Sequence, residues 1–230
     1  MDGIMEKILE ISNLDFSYKR KNVYENLNLS VNKGDVLGIL GHNGAGKTTL
    51  FRLIGGILKP AGGSIKLFLN KGENIGFMPE GLGLYPRLSG KDNLELIFLR
   101  NNKNIDKNLI MQTLEEIKLK DSALTPIGEW STGMKRRLSL IGALKSNTAL
   151  CMLDEPFLGI DPVSQKIMLD YIKKIHSPEQ TILVSCHDLN VIKQICNKII
   201  IIKEGKIIKQ TDSPDEISDI ENIYFTLNKE

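Results

Sequence analysis

Eight consecutive residues, Gly41-His42-Asn43-Gly44-Ala45-Gly46-Lys47-Thr48, restrict the folds open to this chain more than any other stretch. They match a phosphate-binding loop at every fixed position. They also stand between an apolar run, Val36–Leu40 (VLGIL), and a helix-patterned stretch that Gly55-Gly56 ends. Glycines at this spacing let successive backbone N–H groups turn inward on an anion, and the following helix offers its positive end. Lys47 supplies a compact positive charge for β- and γ-phosphates, and Thr48 a hydroxyl ligand for Mg²⁺. The competing explanation is a glycine-rich turn with an unrelated lysine, and the strand–loop–helix context speaks against it.

The rest of the chain repeats that alternation. Ala149–Leu153 (ALCML) reads as a buried strand ending in Asp154-Glu155, and a helical pattern follows from Pro162 through Val163, Ile167, Met168, Tyr171, Ile172 and Ile175. Thr181–Ser185 predicts another strand, and a short helix pattern leads to a strand over Ile199–Ile202. Glu204-Gly205 predicts a hairpin turn into Lys206–Lys209, and Ser213-Pro214-Asp215-Glu216 has a capping-box layout. Residues 81–144 show helical periodicity at Leu94, Ile97 and Phe98, then at Ile110, Leu114 and Ile117, with no clear strand. The expected architecture is therefore α/β, a mostly parallel sheet covered by helices, in a single domain over residues 1–230. Its core is expected at about 1–80 and 145–230, with a helical insertion at about 81–144.

Composition narrows the partners. Thirty basic and 28 acidic side chains leave a net charge of +2 in 230 residues, so no polyanionic partner is implied. Lys135-Arg136-Arg137 could suggest nucleic acid. Without stacking aromatics or a basic stripe, these three read as a solvated helix face or a phosphate-proximal helix start, and no nucleic acid is expected. Cys151, Cys186 and Cys196 are odd in number and lack CxxC spacing, which predicts buried free thiols in a reducing compartment. The first residues, MDGIMEKILEI, contain no continuous signal core, and no stretch approaches the roughly 18 apolar residues of a membrane helix. A cytosolic chain that does not cross the membrane is expected.

Asp154-Glu155 sits where a phosphate-binding core needs acids: Asp154 to hold Mg²⁺ and Glu155 to orient and deprotonate water. Two acids after a strand could equally form a solvated turn, and the phosphate loop upstream favours catalysis. The ordered set of the loop at 41–48, PEGLGLY at 79–85, STGMKRR at 131–137, LDEPFLGIDP at 153–162 and SCHD at 185–188 resembles the nucleotide-binding subunit of an ATP-binding cassette (ABC) transporter over nearly the whole chain. It is similar in particular to the exporter-type (ABC-2-like) subfamily with a separately encoded permease.

That resemblance implies a P-loop NTPase (RecA-like) core with an antiparallel β subdomain, and ATP and Mg²⁺ as cofactors. Nucleotide contacts would come from Gly41, His42, Asn43, Gly44, Ala45, Gly46, Lys47, Thr48 and Thr49, with Mg²⁺ held by Thr48, Asp154 and Glu80. Tyr18 matches the aromatic that stacks on adenine, the competing explanation being a core tyrosine on a strand. Ser131 and Gly133 match the signature motif that touches ATP held by the second subunit of a head-to-tail dimer, a role compatible with Ser131 simply capping a helix. Asp161 matches the aspartate that communicates across that dimer. His187 matches the switch histidine at the γ-phosphate, so Glu155, His187 and Lys47 are the implied catalytic residues. His176 is expected only at an exposed helix end.

The partners implied are separate transmembrane permease subunits and a homodimer or heterodimer of nucleotide-binding subunits, attached peripherally to the cytoplasmic face of the membrane. A soluble ABC ATPase acting on ribosomes, DNA or protein complexes is the alternative. It usually carries two cassettes or long coiled coils, and neither is present here.

Two positions depart from the family pattern. Glu80 stands where most members have glutamine. A second negative charge about 4 Å from another costs on the order of 4 kcal/mol at an effective dielectric near 20, so Glu80 must pair with metal, take up a proton or stay back. Trp130-Ser131-Thr132-Gly133-Met134 replaces LSGGQ, and Trp130 fits either a dimer or subdomain surface or a core anchor.

Overall fold

A computed structural model describes residues 6–19, 21–101, 107–145, 148–211, 216 and 220. Ser213, Pro214 and Asp215 of the expected capping box lie outside the described residues. Contacts divide the chain into two compact units, Met1–Lys71 with Ser177–Glu230, and Gly72–His176.

The first unit holds two sheets. Strands β1 (Lys7–Tyr18), β2 (Lys21–Asn32) and β4 (Gly62–Leu67) form an antiparallel sheet in the order β2-β1-β4. Alternation sets its inner face: Leu27, Leu29 and Val31 of β2 are buried while Asn28 and Ser30 between them are exposed. Strands β3 (Val36–Leu40), β7 (Thr181–Cys186) and β8 (Lys198–Lys203) are parallel in the order β7-β3-β8, and β9 (Lys206–Gln210) returns antiparallel to β8 across Glu204-Gly205. Every residue of β3 and β7 is buried, the continuous apolar run that parallel strands covered on both faces require. Helices α1 (Lys47–Ile54) and α6 (Leu189–Ile192) follow β3 and β7.

The second unit is a parallel pair, β5 (Asn74–Met78) and β6 (Thr148–Asp154), with helices α2 (Gly90–Asn101), α3 (Lys107–Glu116), α4 (Thr132–Lys145) and α5 (Pro162–Ile175). Helix α4 packs on β5, β6, α2 and α5, so nearly every residue from Arg136 to Leu144 is buried. A helix covered all round loses its amphipathic signature. In that setting Arg136 and Arg137 are only 6% and 9% exposed, which corrects the expectation of a solvated basic face. Trp130 is a core anchor: Nε1 donates to Thr125 Oγ1 at 2.8 Å and the ring lies against Gly90. In α5 the pattern is rotated from the one expected, with Ser164 and Leu169 buried and Val163 69% exposed. The expected strands at 149–153, 181–185 and 199–202 all form, and residues 81–144 contain helices and one isolated bridge, Ser89 to Pro126, among those described.

Candidate nucleotide-binding and hydrolysis site

In the first unit the loop leaves the C-terminal end of β3. Leu40 is in register with Cys186 of β7, so Gly41 and His187 emerge side by side at one sheet edge, where open α/β sheets place ligands. Helix α1 starts with Gly46 at its N-cap, with no side-chain cap and no acidic residue in its first turn. Its first amides therefore face outward unclaimed by any capping side chain, which suits an anion. The Lys47 ammonium is buried and donates to the carbonyls of Gly41 at 2.6 Å and His42 at 3.3 Å. His42, Asn43 and Gly44 are exposed, Ala45 and Thr49 are buried, and Thr48 is half-buried. His187 is exposed, and Asp188 beside it caps α6 by accepting from Asn190 N at 2.8 Å.

Tyr24, which sequence reasoning missed, fixes this loop from β2. Its hydroxyl donates to the Gly46 carbonyl at 2.7 Å. Gly46 has φ +108°, and a Cβ there would sit 2.6 Å from the Tyr24 hydroxyl, so only glycine fits. Burial, aided by Tyr18, pushes the Tyr24 phenol above its ordinary range, and it stays a donor at neutral pH. Tyr24 is out of phase with the buried Leu27, Leu29 and Val31 of β2, so the alternation did not mark it. Tyr18 is 41% exposed and meets Phe16 edge-on at 4.9 Å, so it is no core tyrosine.

In the second unit Met78 of β5 is in register with Leu153 of β6, so Glu80 and the Asp154-Glu155 pair leave adjacent strand ends. Asp154 and Glu155 are buried and Glu80 is exposed. Glu155 has φ +47°, a left-handed backbone that is uncommon away from glycine. Its carbonyl accepts from Leu158 N at 3.2 Å and from Arg136 Nη1 at 2.8 Å. Burial lowers the Arg136 pKa, while the carboxylates of Glu80 and Glu155 oppose that shift. Glu80 thus has a cation nearby, an arrangement outside the three options drawn from sequence. Nothing in the sequence singles out Arg136 within the basic run 135–137.

Ser131 caps α4, its Oγ accepting from Met134 N at 3.2 Å, and it remains exposed. Gly133 lies tight against α5: a Cβ there would collide with Ser164 Oγ and stand 2.9 Å from Asp161 Oδ2. Asp161 caps α5 by accepting from Ser164 N at 2.8 Å, a bond that holds its carboxyl below the usual range.

The residues suit Mg²⁺ with a nucleotide. The Thr48 hydroxyl and the Asp154 carboxylate are hard oxygen donors, and the described residues contain no cluster of three acidic, histidine or cysteine side chains that could cage a metal. Each is an oxygen donor of the kind Mg²⁺ takes, usually one or two from protein beside phosphates.

Residues 24–158 match the family model described as ABC transporter. The chain is 36% identical over 218 residues to the bacitracin transport ATP-binding protein BcrA of Bacillus licheniformis, covering 90% of this chain and 70% of that one. It is 30% identical over 230 residues to the lantibiotic transport ATP-binding protein SrtF of Streptococcus pyogenes, covering 96% and 99%. Its fold matches that of the ATP-binding cassette MJ0796, solved as a post-hydrolysis dimer bound to ADP and Pi, at a TM-score of 0.80 and 23% identity over 89% of this chain and 98% of that one. With phosphate loop, acidic pair and signature helix in family order, the chain belongs to the ABC transporter family, as an ATP-binding subunit that hydrolyses ATP to energise transport.

Proposed function

We propose that this subunit dimerises around two ATP molecules, with an identical chain or a paralogue, and drives a separately encoded exporter-type permease from the cytoplasmic face of the membrane. The observation that carries this reading is the uncapped start of α1, with the buried Lys47 ammonium over the loop and His187 at the neighbouring strand end. The loop amides of residues 41–49 and Lys47 hold the phosphates, and Tyr18 stacks on adenine. Thr48 and Asp154 would hold Mg²⁺, whose charge would offset that of the phosphates. Glu80 stands in the position from which the family's glutamine approaches that ion. Glu155 accepts the proton of the attacking water, and His187 touches the γ-phosphate and keeps that water in line. Ser131 and Gly133 face the ATP of the second subunit, and Asp161 reports across the dimer.

Among the described residues no helix is long and apolar enough to cross a membrane. The segment at about 81–144 is the coupling insertion. Tyr85, Leu96 and Leu99 are exposed apolar side chains on it, and an apolar surface of this kind suits a permanent partner. The test is to tag the chain, extract native membranes gently and identify what remains attached with and without Mg-ATP. A stoichiometric polytopic membrane protein is the expected result. Recovery with ribosomes or another soluble complex would overturn the transporter role.

A further inference from the structure

We propose that Arg136, in the second turn of α4, is a positioning residue for hydrolysis: its guanidinium clamps the backbone of Glu155. The proposal rests on the reading of Glu155 as the base and extends it to the residues that hold that base in place.

A glutamate at φ +47° is in a conformation that L-residues avoid, and such strain persists only where the surroundings over-determine it. The Leu158 amide closes a local turn onto the Glu155 carbonyl at 3.2 Å, which any three-residue turn could do. The second donor is not local. Arg136 Nη1 reaches the same carbonyl at 2.8 Å from 19 residues upstream, so both acceptor directions of that oxygen are used. Charge-assisted bonds of this kind are the stronger ones.

Arg136 also has no evident reason to be buried other than this bond. It is 6% exposed, its Nε has no hydrogen-bond partner, and among the described residues its one hydrogen bond is the one to Glu155. A buried guanidinium left partly unsatisfied is costly, and apolar packing would serve α4 better. Two carboxylates act on it, Glu80 from the loop after β5 and Glu155 from the loop after β6. One turn further along α4, Ser139 Oγ donates to the Leu82 carbonyl at 2.8 Å, so the same helix face is tied to the loop that carries Glu80. The helix that opens at Ser131 is thereby fastened to both acidic loops.

The test compares Arg136→Met, Arg136→Lys, Glu80→Gln and Glu155→Gln. Turnover is read with the KM for ATP, and backbone hydrogen exchange of residues 155–159 is read in the nucleotide-free chain. Arg136→Met is expected to lower kcat at least about tenfold with KM within about threefold, and to quicken exchange of the Leu158 amide while β6 stays protected. Arg136→Lys, which keeps the charge, should recover part of both. Glu80→Gln should give a smaller quickening, and none when added to Arg136→Met. Unchanged Leu158 exchange, or a loss of protection spread over all of β5 and β6, would overturn the clamp. Should Arg136→Met not fold, Leu158 exchange in Arg136→Lys decides by the same criterion. Parental turnover in Glu155→Gln would instead defeat the reading of Glu155 as base. A dead Glu155→Gln beside a normal Arg136→Met would defeat the role of Arg136 alone.

Discussion

Glu80 brings a negative charge to a position where most of the family has glutamine, and it acts electrostatically on the buried guanidinium of Arg136. The carboxylate is therefore tolerated rather than required. Glu80→Gln is expected to keep the ATPase rate within about tenfold of the parent, roughly 1.4 kcal/mol in the barrier, as measured by steady-state phosphate release. Tyr24 is the second single-residue test. Tyr24→Phe removes the donor to the Gly46 carbonyl at 2.7 Å without changing ring packing. Urea unfolding should show a loss of about 1 kcal/mol. Equilibrium binding should show weaker ATP affinity, because the carbonyl released belongs to the turn that presents the loop. Unaltered affinity would mean that the loop holds its shape without the strand behind it.

Among the elements, α5 allows the clearest separation of charge from capping. Asp161 accepts from Ser164 N, and its folded pKa lies below the unfolded value. A depressed carboxyl contributes stability above its unfolded pKa of about 3.9, and that contribution is lost as pH falls through the folded value. Asp161→Asn should keep the cap and flatten the acid side of a Tm-against-pH curve below about pH 4, whereas Asp161→Ala should lower Tm at neutral pH. The elements legible in the sequence were those with one dominant signal: the wholly buried, mostly apolar β3, β6 and β7, and α1 between its glycines. Strands β1, β2, β4 and β5 were not located individually. Bulges break the β1–β2 register, and in β4 apolar residues are sparse, so the two-residue period is blurred. Helix α4 was misjudged on its basic face because burial on all sides leaves no stripe to read. At the site, the motif residues could be proposed from sequence because the chemistry expected of them dictates their types. Tyr24 and Arg136 could not be, because each acts on a backbone carbonyl, and a carbonyl leaves no trace in the residue that bears it.

For the whole molecule, the three cysteines give a test that spans both units. Cys151, Cys186 and Cys196 are free and buried, and burial raises the thiol pKa of Cys151 and Cys196. A buried thiol with little thiolate is a poor nucleophile. An aromatic disulfide reagent should find almost no reactive thiol in the native chain and three after denaturation. Rapid labelling of even one without denaturant would indicate local opening in the unit that contains it. The two units can be followed separately in this way, since Cys151 lies in the second and Cys186 and Cys196 in the first.

Silent native thiols also make the unaltered chain a ready background for spectroscopy. A single new cysteine at Leu124 or Val163, 75% and 69% exposed, would take up a fluorophore or spin label alone, with no native cysteine removed. Either probe sits in the second unit, one before α4 and one at the start of α5, so each would report on the motions of that unit in real time from a protein whose interior has not been edited.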